Sequence, residues 1–309
     1  MQRLTDSFAA TGHSTKLLRS PSGEVGNNRF AKGYALGAHL LNARNHARGG
    51  GPNIVAWPLL GWWEAPLWQH AANCTYIVMH DPKPLAIQDG LSARAAKRSS
   101  RACRARWPHL VTMSPEAYTV TSEYFPEHRI HLVPHPMRTP RCDRQNPTGS
   151  VALVLGQYKP ARDLRVMSSI AGALRADGWE PMVAGRGWPS IPGWRVVNRY
   201  LEKAEFDRLL ASAAAVLLPY QHYFQSGVAL RALEAGVPVV GRETGFLACV
   251  LGPNFSGAVA DWHEPDSWAA AMSDAVASTS SQIKAATRYG KRGIFEWDSL
   301  VRSSVTRPR

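Results

Sequence analysis

The 309-residue chain is predicted to be an α/β protein built on doubly wound parallel sheets, and three observations carry that prediction. Short, wholly apolar runs such as Val151–Leu155 (VALVL) and Ala215–Leu218 (AVLL) are too brief for helices and suit strands buried on both faces. Each leads through a loop marked by glycine or proline into an amphipathic run, so strands and helices alternate. The alternation restarts after a polar stretch near the middle, and the length favours two domains of about 150 residues.

In chain order, residues 14–21 suit a first strand and about 29–42 a helix. Asn53–Trp57 reads as a second strand, closed by Pro58. Trp62, Trp63 and Trp68 fall at helical spacing. Clustered aromatics of this kind usually build core, although beside a site mouth they can hold a sugar ring or lipid. Thr75–Met79 is a third strand and runs into His80-Asp81-Pro82. A His and an Asp directly after a buried parallel strand sit where α/β folds place catalytic side chains; the plainer reading is that His80 hydrogen-bonds a loop backbone.

Leu91–Trp107 reads as a helix with Arg94, Lys97, Arg98, Arg101 and Arg104 along one side and Arg106 near its end. No acid lies between Gly90 and Pro115. The helix is either a solvated basic face or a dock for an anionic membrane surface. Leu110–Ser114, a helix over Pro115–Tyr124, and a strand over Arg129–Val133 complete the first half. Met137–Ser150, rich in Pro and Arg, has the composition of a linker.

In the second half, the strand Val151–Leu155 ends at Gly156 and a helix follows to about Ala176. Lys159 and Arg162 stand at its start, where cations oppose the helix dipole and so suggest a bound anion. Glu180–Ala184 is a strand leading into Gly185-Arg186-Gly187, Trp194–Val197 is a short strand, and Glu202–Ala213 a helix. After Ala215–Leu218 the loop Tyr220–Gln225 delivers the chain to Ser226-Gly227 at the start of an amphipathic run, an arrangement that leaves N–H groups ready for an anion. Pro238-Val239-Val240 opens another strand and Gly245 another helix. A last strand is expected over Ser256–Ala260, then a helix over Glu264–Ala286, and a terminal stretch Gly290–Val301.

The stretch Ala215–Val250 resembles the nucleotide-binding half of GT-B glycosyltransferases, in particular the family-four-like enzymes (glycosyl transferases group 1). The match lies at Pro219, Ser226-Gly227, Ala232, Gly236, Pro238-Val239-Val240 and Gly245. The resemblance implies two Rossmann-like domains facing across a cleft: residues 1–136 on the acceptor side, 137–150 as linker, 151–285 binding the nucleotide-sugar, and a terminal helix over 286–309 crossing back to the first domain. It implies donor binding by Gly156, Lys159, Arg162, Gly185, Arg186, Tyr200, Leu201, Gln225, Ser226, Gly227 and Arg231, with His80 and Asp81 as catalytic candidates. One departure stands out. Many family members carry two glutamates in this stretch, and Tyr223 and Arg231 stand in their place. A cation cannot accept hydrogen bonds from a ribose, so Arg231 is expected to contact phosphate or to pair with Glu234 or Glu243, and donor choice to change with it.

The resulting expectation is a glycosyltransferase using a UDP- or GDP-sugar as co-substrate, with no cofactor and no metal, since no acidic pair with metal-ligand spacing appears. The acceptor is left open, a lipid-linked one included. The alternatives are a catalytically weak nucleotide-sugar-binding protein and a DNA-modifying transferase, the latter because the net charge is +13. No apolar run approaches the roughly 20 residues of a membrane span. The four cysteines show no metal or disulfide spacing, and the first residues lack a secretory h-region. A cytoplasmic protein is the expectation, with attachment to the membrane's inner face left open.

Overall fold

A computed structural model describes residues 2–19, 29–47, 51–68, 75–83, 90–103, 108–141 and 149–305. The chain forms two compact units, one of Met1–Val133 with Ile294–Arg309 and one of Pro134–Gly293.

The first unit holds α1 (Gln2–Ala10), α2 (Arg29–Ala47), β1 (Asn53–Val55), a 3-10 turn (Gly61–Trp63), α3 (Glu64–Trp68), β2 (Thr75–Val78), α4 (Ala93–Ala102), β3 (His109–Thr112), α5 (Pro115–Tyr124) and β4 (Ile130–Leu132). Its sheet is parallel throughout, in the order β1-β2-β3-β4. Each step moves the same way, so right-handed crossovers put their helices on one face. There Ile77, Met79 and Leu110 pack against Trp62, Trp68, Ala96 and Phe125. The pleat sends Tyr76, Val78 and Val111 to the other face, where they meet Leu4 and Phe8 of α1 together with Trp297, Leu300 and Val301. Those three belong to α11 (Thr279–Val305), whose end is part of this unit. Tyr76 donates its hydroxyl hydrogen to the Leu300 carbonyl at 3.2 Å. Asp298 accepts from His13 at 2.7 Å and from Arg302 at 2.8 Å.

Several expectations are corrected here. Residues 14–19 form no strand, and 20–21 lie outside the described residues. Residues 14–19 hold the apolar Leu17 and Leu18 but pair with no strand of the sheet among the described residues. A helix, α1, precedes it; its Leu4, Ser7 and Phe8, at spacings of three and four, are the buried ones. The basic helix spans Ala93–Ala102, ended at Cys103, and Arg104 and Arg106 lie outside the described residues.

The second unit holds β5 (Val151–Leu155), α6 (Leu164–Ala176), β6 (Glu180–Ala184), β7 (Arg195–Val197), α7 (Lys203–Ser212), β8 (Ala213–Leu218), α8 (Gly227–Glu234), β9 (Val239–Gly241), α9 (Gly245–Leu251), α10 (Pro265–Ala277) and the first part of α11. The sheet order is β7-β6-β5-β8-β9, again all parallel. The chain winds outward from β5 in one direction, then returns to its other side. Such a sheet leaves a crevice outside the carboxyl ends of its two central strands. β5 and β8 are almost wholly buried, as strands covered by helices on both faces must be. The strand expected over 256–260 is reduced to one bridge between Gly241 and Ala258. The helix expected over 264–286 is two helices that part at Ser278, whose N–H closes α10. Residues 137–141 are held against α8: the N–H of Arg138 donates to the Glu234 carboxylate at 2.8 Å and that of Arg141 to the Glu234 carbonyl at 3.1 Å.

Candidate functional site

The crevice of the second unit is built by two loops joined to each other. The loop after β5 and the loop after β8 meet in a bridge between Arg162 and Tyr220. The N–H of Asp163 donates to the Pro219 carbonyl at 2.8 Å, and that of Gln221 to the Ala161 carbonyl at 2.9 Å. Asp163 caps α6 by accepting from the Val166 N–H at 3.1 Å, and its other oxygen accepts from the Trp262 indole at 3.2 Å. Burial pushes this carboxyl up, but the hydrogen bonds outweigh it and hold it below the usual carboxylate range.

Arg162 stands at the centre. Only 3% of it is exposed. Its Nη2 donates to the Leu155 carbonyl at 2.9 Å. The guanidinium carbon lies 4.1 Å from the ring centre of Tyr220 and 5.0 Å from that of Trp188, within cation–π range. Nε and Nη1 are buried without a hydrogen-bond partner. Burial pushes this guanidinium down from its ordinary value, with Tyr220 acting in the opposite sense. A buried cation with two unfilled donors is costly to the fold, and such a group calls for a partner the protein itself does not supply.

Gly156 gives this corner its open wall. A Cβ there would sit 3.7 Å from Arg162 Nη2 and 3.5 Å from the Val228 side chain, so the guanidinium and the first turn of α8 flank the same glycine. Gly185 is fixed more tightly: at φ +147°, an added Cβ would lie 2.1 Å from the Gly156 carbonyl oxygen. That oxygen also accepts from the Trp188 indole at 2.7 Å. Ser226 caps α8 by accepting from the Ala229 N–H at 3.1 Å, so its hydroxyl serves the helix. The N–H groups of Gly227 and Val228 belong to the first turn, which has no intrahelical acceptor for them, and they stand at the positive end of the dipole.

The fold thus brings Gly156, Arg162, Gly185, Ser226 and Gly227 together. Lys159 is exposed on the loop after β5 and Arg186 on the loop after β6, their carbonyls accepting from the N–H groups of Arg162 and Tyr158. Gln225 precedes the cap and is half-buried; Leu201 is half-buried as well. Tyr200 is 68% exposed, and the neighbouring Arg199 pairs with Glu205 at 2.7 Å. Arg231 is placed elsewhere. Its Nη2 donates to Asp207 of α7 at 2.6 Å and its guanidinium lies over the Phe206 ring at 3.6 Å. The pairing expected with Glu234 or Glu243 is therefore corrected to Asp207, which α7 presents to the facing side of α8. Glu234 holds Arg138, and Glu243 accepts from the Asn254 N–H at 2.8 Å. Tyr223 is buried against Tyr220 and Phe246. Trp188 and Tyr220, which enclose Arg162, escaped the sequence reading; an aromatic placed directly after each loop's strand-end glycine or proline was the available signal.

In the first unit, His80 and Asp81 follow β2. His80 Nε2 lies 2.7 Å from the Ala56 carbonyl, which can only accept, so Nε2 carries the proton. The imidazole rests 4.7 Å from the Trp57 ring. Burial pushes its pKa down, against the Ala56 hydrogen bond and the Asp81 charge, and keeps it neutral near pH 7. Among the described residues no group of three or more His, Cys, Asp or Glu is placed to hold a metal ion.

Known structures fix the architecture. An alpha,alpha-trehalose-phosphate synthase (UDP-forming) from Burkholderia vietnamiensis superposes with a TM-score of 0.61 at 12% identity, over 98% of this chain and 85% of that one. A trehalose-6-phosphate protein from E. coli, bound with UDP-2-fluoro glucose, gives 0.61 at 10% identity over 99% and 86%. The chain has the GT-B fold. A TarM variant from S. aureus, in complex with Fondaparinux, alpha-GlcNAc-glycerol and UDP, shares this GT-B likeness with a TM-score of 0.56 at 10% identity, over 77% of this chain and 52% of that one. The chain spans about half the length of TarM. No protein-family model matches the sequence, and no curated protein sequence does.

Proposed function

We propose that this GT-B protein is a glycosyltransferase that takes its sugar from a nucleoside diphosphate sugar, UDP-linked in the first instance, and that the diphosphate binds beside Gly156. The buried Arg162 guanidinium with two unfilled donors carries this reading. Arg matches the geometry of a phosphate bidentately, with Arg186 as a second, exposed guanidinium and Lys159 as a point charge. As the sugar–phosphate bond breaks, charge grows on the leaving diphosphate. Cations and the first-turn amides of α8 stabilise it there without reorganising, which is the chemistry a bound metal would otherwise supply. Tyr200 and Leu201 are assigned to the nucleobase. His80, neutral and next to Asp81, is assigned to the acceptor hydroxyl.

The test is thermal unfolding with UDP, GDP and their sugar conjugates. A ligand at 100 times its dissociation constant adds about 2.7 kcal/mol. Arg162→Met is the sharper variant. It keeps an apolar stem but removes the buried charge, so the unliganded protein should melt no lower than wild type while the response to UDP disappears. A variant that melts far lower yet still responds to UDP would make Arg162 structural. No response of the wild type to any nucleotide sugar would overturn the transferase reading.

The finer reading of where the protein works rests on α4. Arg94, Lys97, Arg98 and Arg101 are all exposed, and among the described residues none is in an ion pair, while Ala95, Ala96 and Ser99 are buried. Trp63, 40% exposed, belongs to the turn that accepts the Ser99 hydroxyl hydrogen at Trp62. Four such cations add about 4 kcal/mol on an anionic bilayer, at ~1 kcal/mol each, with a tryptophan beside them suited to the interface. Among the described residues no helix is long and apolar enough to cross a membrane. Sedimentation with vesicles containing phosphatidylglycerol should capture the protein, and Lys97→Glu/Arg98→Glu should release it. Capture by duplex DNA but not by these vesicles would instead favour the nucleic-acid alternative.

A further inference from the structure

We propose that the first unit carries a separate binding site, for a small anionic molecule with a ring-sized body, in the cavity beside β1. The cavity encloses about 470 Å³, within the usual range for small-molecule sites. It exists because β1 is the edge of the sheet and the neighbouring segment 16–19 forms no strand against it. Chain on one side and strand on the other leave a gap, closed by α2 through His39 and Leu40 and by Trp57 and Trp68.

The charge around this gap is uneven. Lys16 and Arg19 line it, and Glu64 is the one acid among the described lining residues. That carboxylate is already committed. Oε1 accepts from the N–H groups of Leu59 at 2.9 Å and Leu60 at 3.2 Å, and Oε2 from the Trp68 indole at 2.5 Å. It is therefore not available to pair with the cations. Among the described residues Lys16 has one side-chain partner. Its ammonium lies 2.8 Å from His46 Nε2, and His46 Nδ1 lies 2.9 Å from the Asn42 carbonyl. An ammonium can only donate and a carbonyl can only accept, so in this arrangement His46 accepts at Nε2 and donates from Nδ1. The lysine is an exposed cation on the lining that gives one N–H to His46 and has further N–H groups to give. Opposite, Trp57 presents an indole that is 59% exposed, a surface for the face of a sugar or other ring. Its ring packs on His80, and the adjoining Ala56 carbonyl holds His80 Nε2. An occupant on Trp57 lies one ring away from His80. The combination fits a phosphomonoester or carboxylate on a sugar- or polyol-sized body.

The experiment is isothermal titration calorimetry of the full chain with glycerol 3-phosphate, hexose 6-phosphates and hexuronates, alongside the same hexoses without charge. At least one charged probe should bind ten times tighter than its neutral counterpart and weaken as salt rises. The double variant Lys16→Gln/Arg19→Gln, both exposed positions that do not threaten folding, should lose about tenfold or more in that affinity. Its affinity for UDP should stay at the wild-type value. Phosphate and carboxylate probes tell which head group the cations favour. The site is overturned if no charged probe binds, if charged and neutral hexoses bind alike, or if the double variant binds as wild type does. The inference does not depend on the donor assignment. Binding of a charged probe without any response to UDP would keep this site and remove the transferase reading, and the reverse result would do the opposite.

Discussion

The two units wind their sheets differently. In the second, the order β7-β6-β5-β8-β9 reverses direction beside β5, while the described strands of the first run β1-β2-β3-β4 without turning back. A reversal sends the connections of two neighbouring strands off in opposite directions and makes a crevice at their ends from topology alone. A sheet wound one way makes none. Its cavity lies instead at the edge strand, where a neighbouring segment fails to pair. Both units cap helices with side chains, the second α6, α8 and α9 through Asp163, Ser226 and Thr244 and the first α4 and α5 through Ser92 and Ser114. The first also relies on partly buried histidines, His80, His128 and His131, and on α1 and the end of α11, which come from opposite ends of the sequence to pack on its sheet.

That reliance should show first in the core. Trp297 is fully buried, edge-on to Phe8 with ring centres 6.2 Å apart, and it joins the C-terminal part of α11 to α1 and the sheet. Trp297→Ala should cost about 3–5 kcal/mol and expose the amides of β2 and β3 to hydrogen exchange, leaving β5 and β8 protected. Trp268→Ala, equally buried in the core of the second unit, should give the converse pattern. Loss of protection across both sheets from either change would mean the units unfold as one.

Acid should separate them next. Burial pushes the pKa of His80, His128 and His131 below 6.5, and all three lie in the first unit. The folded unit keeps these rings neutral, whereas the unfolded chain takes up protons as the pH falls through 6.5. Their contribution to stability is therefore complete above pH 6.5 and is lost below it. In the second unit Asp163 and Asp207 are held below 3.8, so their contribution persists until much more acid conditions. Hydrogen exchange at pH 7.5 and pH 5.5, corrected for intrinsic rates, should weaken β2 and β3 well before β5 and β8. Equal weakening of both sheets would break the distinction.

The contrast also explains what could be read in advance. The runs VALVL, AVLL and PVV fall on β5, β8 and β9 because strands buried on both faces must be apolar along their whole length. Gly156, Gly185, Arg162 and Ser226-Gly227 stand at strand ends and helix starts, positions that local sequence marks. For Trp188 and Tyr220 around Arg162 the sequence offers only the glycine or proline just before each, since which ring faces a guanidinium is settled by the packing of three loops. The pairing of Arg231 with Asp207, which joins two helices across 24 residues, was not readable. In the first unit, α1 was not read from the sequence, although its buried Leu4, Ser7 and Phe8 stand at helical spacings of three and four. Residues 14–19 looked like a strand because apolar content was read without asking which strand edge would take their hydrogen bonds.

Arg231 gives the smallest effect and the finest test of how far resemblance reaches. By position it stands where similar enzymes carry a glutamate, yet its guanidinium faces α7, lying over Phe206 and bonded to Asp207. The side chains of this pair are 31% and 46% exposed, so solvent screens the charge interaction and the pair contributes at most about 1 kcal/mol, with a cation–π term of about 0.5–1 kcal/mol beside it. Arg231→Ala should therefore lower stability by roughly 1 kcal/mol and leave UDP affinity unchanged. Arg231→Glu should cost more, because it sets a carboxylate against Asp207, and it should not improve UDP binding. A tenfold change in UDP affinity on Arg231→Ala, with the melting temperature unmoved, would mean that the guanidinium turns from α7 to the nucleotide and that the position keeps its part in the donor site with its charge reversed.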